Sequence, residues 1–148
     1  VDVTTIPLEL ELRLLLRILL SLITGALVGY EREQADKPAG MRTHGILSLG
    51  ATLFTLVSIY GFGSIGEPAR VAAQIVSGIG FLGAGVILHK RGSVRGLTSA
   101  AGLWVTAAIG MAVGAGMFLT AIASAILVFF FLRFGPHTRA PGSTHENE

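Results

Sequence analysis

Cysteine is absent from the 148 residues, which excludes a disulfide framework, a thiolate zinc site and a cysteine nucleophile. Charge is scarce: Asp, Glu, Lys and Arg make up 14% of the chain, against about 25% in a soluble domain. That is too little to cover a water-facing surface. Eleven Lys and Arg against nine Asp and Glu leave a net charge of +2, too small for a nucleic-acid footprint. Acids are missing from the middle of every long apolar run, where a proton relay or cation pathway places them and where magnesium, a hard cation, takes carboxylate oxygens. Ser77 has no histidine at a matching depth, so intramembrane proteolysis has no partner residue. Neither an enzyme nor a cation carrier is the first expectation, and no cofactor or metal site is expected.

What is present is apolar residue in quantity: 51% of the chain, with 20 glycines and a mean hydropathy of +0.70. It falls into five runs, Leu12 to Tyr30, Gly45 to Phe62, Val71 to Leu88, Leu97 to Val113 and Met117 to Leu132. A helical span needs about 20 such residues, and none of the runs alternates as a barrel strand would. The expected fold is therefore all-α, an integral membrane bundle of five transmembrane helices over 12–132. A lead-in over 1–11 precedes it, interfacial or periplasmic, and a polar, disordered, cytoplasmic tail over 133–148 follows. Arg32, Lys37 and Arg42 follow the first run, Lys90, Arg91 and Arg95 the third, and Arg133 and Arg139 the fifth. The opposite connections hold only Arg70. The positive-inside rule then puts the N-terminus outside and the C-terminus in the cytoplasm. The acidic lead-in and the lack of a small-x-small site argue against a cleaved signal peptide. In the tail, His137 and His145 are expected to be solvated and idle.

Glu9, Arg13 and Arg17 recur at i, i+4 and i+8, one stripe of a helix. They either snorkel to the interface or face a partner helix inside the membrane. Gly78-Ile79-Gly80-Phe81-Leu82-Gly83 matches the dinucleotide fingerprint by letter, but that motif needs a preceding strand and this one lies in a span. Helix packing is the better account, since small residues let backbones approach in lipid. Gly25 with Gly29, Gly80 with Ala84 and Gly110 with Gly114 all have that spacing, and they point to a tight bundle that forms a homo-oligomer. Glu31-Arg32-Glu33, then Lys37 to Gly40, then Arg42-Thr43-His44 gather acids, cations and a histidine at one membrane face. This is either an ordinary hydrated loop or an Arg–carboxylate cluster holding two helix ends; Thr43 is placed to cap the second helix. Arg70, Gln74 and Ser77 form a polar stripe down the third span, for interhelical hydrogen bonding or for a partner. After Arg95, Thr98 and Ser99 stand where they can cap the fourth helix.

At these motifs the chain resembles the MgtC/SapB family of bacterial inner-membrane proteins. The matching stretches are Gly29 to Glu33, Lys37 to His44, Pro68 to Gly85 and Val94 to Gly110. The resemblance implies a five-span, multi-pass inner-membrane domain linked to adaptation to magnesium limitation and, in pathogens, to virulence inside macrophages. It also implies regulation of the F-type ATP synthase through that complex's membrane sector, in place of magnesium transport. Carried over residue by residue, the partner-binding or functional polar positions are Glu31, Arg32, Glu33, Arg42, His44, Arg70, Gln74, Arg95 and Thr98, with no catalytic residue among them. Three departures stand out. Virulence-type members continue into a soluble C-terminal domain where this chain has a short tail, which favours the shorter SapB-like form. Glu67 stands where aspartate is usual, and Ser99 where threonine is. The resulting expectation is a membrane regulator that contacts lipid and another membrane complex. The alternative is a transporter or channel for a cation or small solute, using the Arg70, Gln74 and Ser77 stripe.

Overall fold

The computed structural model describes residues 6–62, 67–90 and 93–135. Five α-helices run in chain order: α1 Leu8–Gln34, α2 Met41–Leu56, α3 Pro68–Val86, α4 Leu97–Gly114 and α5 Phe118–Phe134. A π-helical turn, Val57–Gly61, extends α2. Counted with it, four helices are long and apolar enough to cross a membrane. At 17 residues, α5 reaches about 26 Å and lies at the short end of spanning length. The five expected spans are thus five helices, each displaced by up to a turn from its apolar run. The 27 residues of α1 cover about 40 Å, so both ends pass beyond a hydrocarbon core of roughly 30 Å.

Between α3 and α4 the sequence suggests only a loop, but Leu88–Lys90 (β1) and Ser93–Arg95 (β2) pair antiparallel, Leu88 opposite Arg95. The ribbon satisfies backbone groups of the ten-residue connection between Val86 and Leu97. Gly96 then turns the chain into α4 at φ +90°, a left-handed conformation that only glycine adopts without strain. Asp36 ends α1 at φ 52°, in the left-handed α well that a single Asp tolerates. There Lys37 N–H bonds the Arg32 carbonyl and Asp36 N–H the Glu33 carbonyl, a Schellman closure. Gly116 closes α4 in the same way, with Met117 bonded to Ala112 and Gly116 to Val113.

The central element is α4, which packs on all four other helices. One cluster joins Val28, Ile109, Val113, Ala121 and Ala125 from α1, α4 and α5, and a smaller one joins Ala51, Ile79 and Ala107 from α2, α3 and α4. Lipid supplies no hydrophobic drive between helices, so close approach and hydrogen bonds must hold them. A Cβ on Gly25 would sit 2.5 Å from the His44 carbonyl oxygen, and one on Gly29 2.6 Å from Met41 Cα. Gly110 lies against the Ser48 backbone and Gly114 against Thr55. Gly80 and Ala84 differ: nothing lies within 4 Å of a Cβ on Gly80, and Ala84 is exposed. Among the described residues this pair joins no helix seam, because α3 turns that side outward. Large apolar side chains such as Phe81, Leu119 and Phe131 also face outward, as lipid contact requires.

Candidate functional site

The last turn of α1 buries two charges. Glu31 and Arg32 are 4% and 3% exposed; Arg32 Nε donates to Glu31 Oε2, and Nη2 completes the ion pair with the same oxygen. Arg32 Nη2 also donates to the Leu132 carbonyl, 3.3 Å away near the end of α5. One arginine therefore neutralises its neighbour and ties the first helix to the last. Glu33 turns the other way and accepts from the Met41 N–H at 2.9 Å. A carboxylate eight residues back thus caps α2, where its charge suits the positive end of the helix dipole. Gly40 permits this, since a Cβ there would be 2.7 Å from Glu33 Oε2. Thr43, expected as the cap, lies inside the first turn of α2 and makes no such bond. Thr98 and Ser99 are not caps either: α4 starts from Gly96 with no side-chain hydrogen bond.

His44 is fully buried one turn into α2. Its Nδ1 lies 3.0 Å from the Gly40 carbonyl, so that nitrogen is the donor and Nε2 the acceptor. His44 Nε2 and, one turn further, Ser48 Oγ are buried without a protein hydrogen-bond partner among the described residues. The line continues to Thr52, whose hydroxyl donates to the Gly110 carbonyl at 2.6 Å. On the facing helix Thr106 donates to Gly102 within α4. This buried hydroxyl line was not singled out from sequence, although Ser48 and Thr52 repeat at i+4 and i+8 from His44.

Around the buried pair the same end of the bundle exposes Lys37, Arg42, Arg95 and Arg133, together with Asp36 and Thr98. Of the nine polar positions marked in the sequence, Glu31, Arg32, Glu33, Arg42, His44, Arg95 and Thr98 share this end. Arg70 and Gln74 do not. Arg70 starts α3 at the opposite end, exposed and 3.8 Å from Glu67, and Gln74 is exposed at the edge of an open groove between α2 and α3. The stripe therefore runs along the surface of the bundle, not through it. Among the described residues no three His, Asp or Glu side chains come together. The lead-in stripe divides as well: Arg13 pairs with Glu9 at 2.6 Å, exposed. Arg17 donates to the Gly114 carbonyl at 2.8 Å and stacks 5.4 Å over the Phe118 ring. Its charge is held by the α4–α5 turn of the same chain. Arg91, the tail from 136 onward and the histidines His137 and His145 lie outside the described residues.

Residues 18–140 match the profile of the MgtC family. The putative magnesium transporter YhiD of Escherichia coli K12 is 42% identical over 125 residues, 80% of this chain and 58% of its own length. Protein MgtC of Salmonella typhimurium is 46% identical over 114 residues, 77% of this chain and 48% of its own. An uncharacterized protein of Haemophilus influenzae is 40% identical over 129 residues, 81% of this chain and 54% of its own. The chain thus spans about half the length of the curated relatives it matches. No solved structure matches it.

Proposed function

Because the chain belongs to the MgtC family, we propose that it is a regulator that binds another membrane complex through its charged end, in adaptation to magnesium limitation. It is a multi-pass protein of the bacterial inner membrane, with four helices long and apolar enough to span it. The partner in this reading is the membrane sector of the F-type ATP synthase, and the charged end faces the cytoplasm, with the N-terminus outside. Virulence-type stress is the setting this reading assigns to it. Self-association is part of the same reading, through the open Gly80 and Ala84 flank of α3.

The observation that carries it is the construction of that end. A hydrated loop needs no buried ion pair, yet here Glu31–Arg32 clamps α1 to α5 and Glu33 clamps α1 to α2. A rigid platform results, with Lys37, Arg42 and Arg95 left exposed upon it. A preorganised platform suits recognition of a partner, because the backbone that carries the cations loses little freedom on binding. The name of one relative, putative magnesium transporter, favours transport as a second reading, which would have to run along Arg70, Gln74 and Ser77 on the surface of α3.

The test is ATP-driven proton pumping in inverted membrane vesicles, with and without this chain at matched synthase content, with magnesium flux followed in parallel. The proposal expects slowed pumping, relieved by Arg42→Ala and retained in Gln74→Leu. Unchanged pumping refutes the synthase as partner. Magnesium flux above background that is lost in Gln74→Leu establishes the transporter instead.

A further inference from the structure

The flank between α2 and α3 is open. A cavity of about 420 Å³ lies between them, floored by Gly50, Ala51 and Gly78 and edged by Gln74. A second, of about 440 Å³, continues it toward the charged end and shares Ile46, Leu47 and Leu82 with the first. Both are almost wholly apolar in lining. The groove persists because two of its floor residues have no side chain: nothing lies within 4 Å of a Cβ built on Gly50 or Gly78.

At the charged end the groove adjoins a third cavity, of about 450 Å³, with Pro38 and Val86 common to both. Its lining changes character, bringing in Lys37 and Arg95, with Asp36 as the one acid, and Thr98 and Ser99 from the first turn of α4. Lys37 and Arg95 make no ion pair among the described residues. Ser99 is 2% exposed, and among the described residues its hydroxyl makes no hydrogen bond to protein. The first turn of α4 also carries no side-chain cap, so its amides remain donors to an anion.

An apolar trough along α2 and α3, ending at two cations without an ion-pair partner among the described residues, the Ser99 hydroxyl and a helix amino end, has the polarity of one molecule. We propose that this flank binds an anionic phospholipid. Its acyl chains lie along Gly50 and Gly78, and its phosphate is held by Lys37, Arg95, Ser99 and the start of α4. A partner helix would fill the trough but would leave the cations unmatched, whereas a free phosphate would leave the trough empty. The inference shares Lys37 and Arg95 with the regulator reading but not Arg42, and lipid retention is read without any partner complex, so either can fail alone.

The test is native mass spectrometry of the purified full chain, titrated with phosphatidylglycerol, phosphatidylethanolamine or inorganic phosphate. Each basic residue near a headgroup contributes about 1 kcal/mol. Lys37→Gln with Arg95→Gln should therefore weaken phosphatidylglycerol retention about thirtyfold, the equivalent of ~2 kcal/mol. Phosphatidylethanolamine retention should move little. Gly78→Leu, whose Cβ meets no atom within 4 Å and whose side chain enters the groove, should displace both lipids while helicity is unchanged. Equal retention of the two lipids in the native chain refutes the proposal, as does phosphatidylglycerol retention indifferent to both variants. Competition by millimolar inorganic phosphate would also overturn it, in favour of a free anion. Dissociation of an oligomer by Gly78→Leu, with lipid still bound, would assign the groove to a second copy.

Discussion

Gly25→Ala adds one methyl group where α1 crosses α2. That carbon would sit 2.5 Å from the His44 carbonyl oxygen and 2.6 Å from Ser48 Cβ, where ordinary contact begins at 3.4 Å. Neither neighbour is the end of a flexible chain; one is backbone and the other the root of a buried side chain. The helices must therefore part by about 0.8–0.9 Å, a figure set by the two distances, and every small-residue contact along the seam loosens with them. Overpacking of this kind costs about 1–3 kcal/mol, offset by up to about 1 kcal/mol of alanine helix preference. The net expectation is a loss of about 1–2 kcal/mol. The control is Gly80→Ala, with the same chemistry and no atom of its own described chain within 4 Å, which should be neutral or slightly stabilising in micelles that hold one chain each. Reversible unfolding in mixed micelles, titrated with dodecyl sulfate and followed by helical circular dichroism, measures both. If the two variants shift the midpoint equally, close α1–α2 packing is not what holds this bundle.

Arg32→Ala should destabilise by about 3–5 kcal/mol in the same titration, because it leaves the buried Glu31 carboxylate unpaired; Glu31→Gln with Arg32→Met should recover much of the loss. Arg17→Leu should lose the Gly114 bond and the stacking on Phe118. A double-mutant cycle with Phe118→Leu should return a coupling of about 0.5–1 kcal/mol, and a coupling of zero would make the 5.4 Å stacking incidental. Thr52→Val, which removes the donor to Gly110, should cost about 0.6 kcal/mol and at most about 1.7. A loss well above that would mean the valine disturbs packing.

The five helices were legible because each apolar run is continuous and long, and the connections between them carry the polar residues. Their ends were not, because helical hydrogen bonding continues through polar residues where the apolar run has stopped. Glu31, Arg32 and Met41 to His44 are helical for that reason. Capping failed at Thr43 because the true acceptor, Glu33, arrives from another helix, which no local pattern reports. The small-residue pairs looked alike in spacing, yet Gly25 and Gly29 meet α2 while Gly80 and Ala84 face outward. Spacing defines a helix face but not the direction in which it turns. The charged cluster at Glu31 to His44 was visible as composition. Its division into a buried pair, a capping carboxylate and exposed cations depends on Leu132 and Met41, residues brought in by tertiary structure.

The two clasps on α1 have a consequence for the order in which the protein is made. Arg17 waits for the Gly114 carbonyl and Arg32 for that of Leu132, 97 and 100 residues downstream. At about 5–20 residues per second, the first helix spends on the order of 5–20 s in the membrane before its acceptors emerge. Glu31 neutralises Arg32 from the outset, being its neighbour in sequence, but the bond to α5 can form only when the last helix is inserted. A chain that stalls before α5 therefore keeps the Glu31–Arg32 pair but leaves Arg32 Nη2 without its acceptor on the last helix. Completion of synthesis is recorded in the membrane by the closing of that one bond between the first helix and the last.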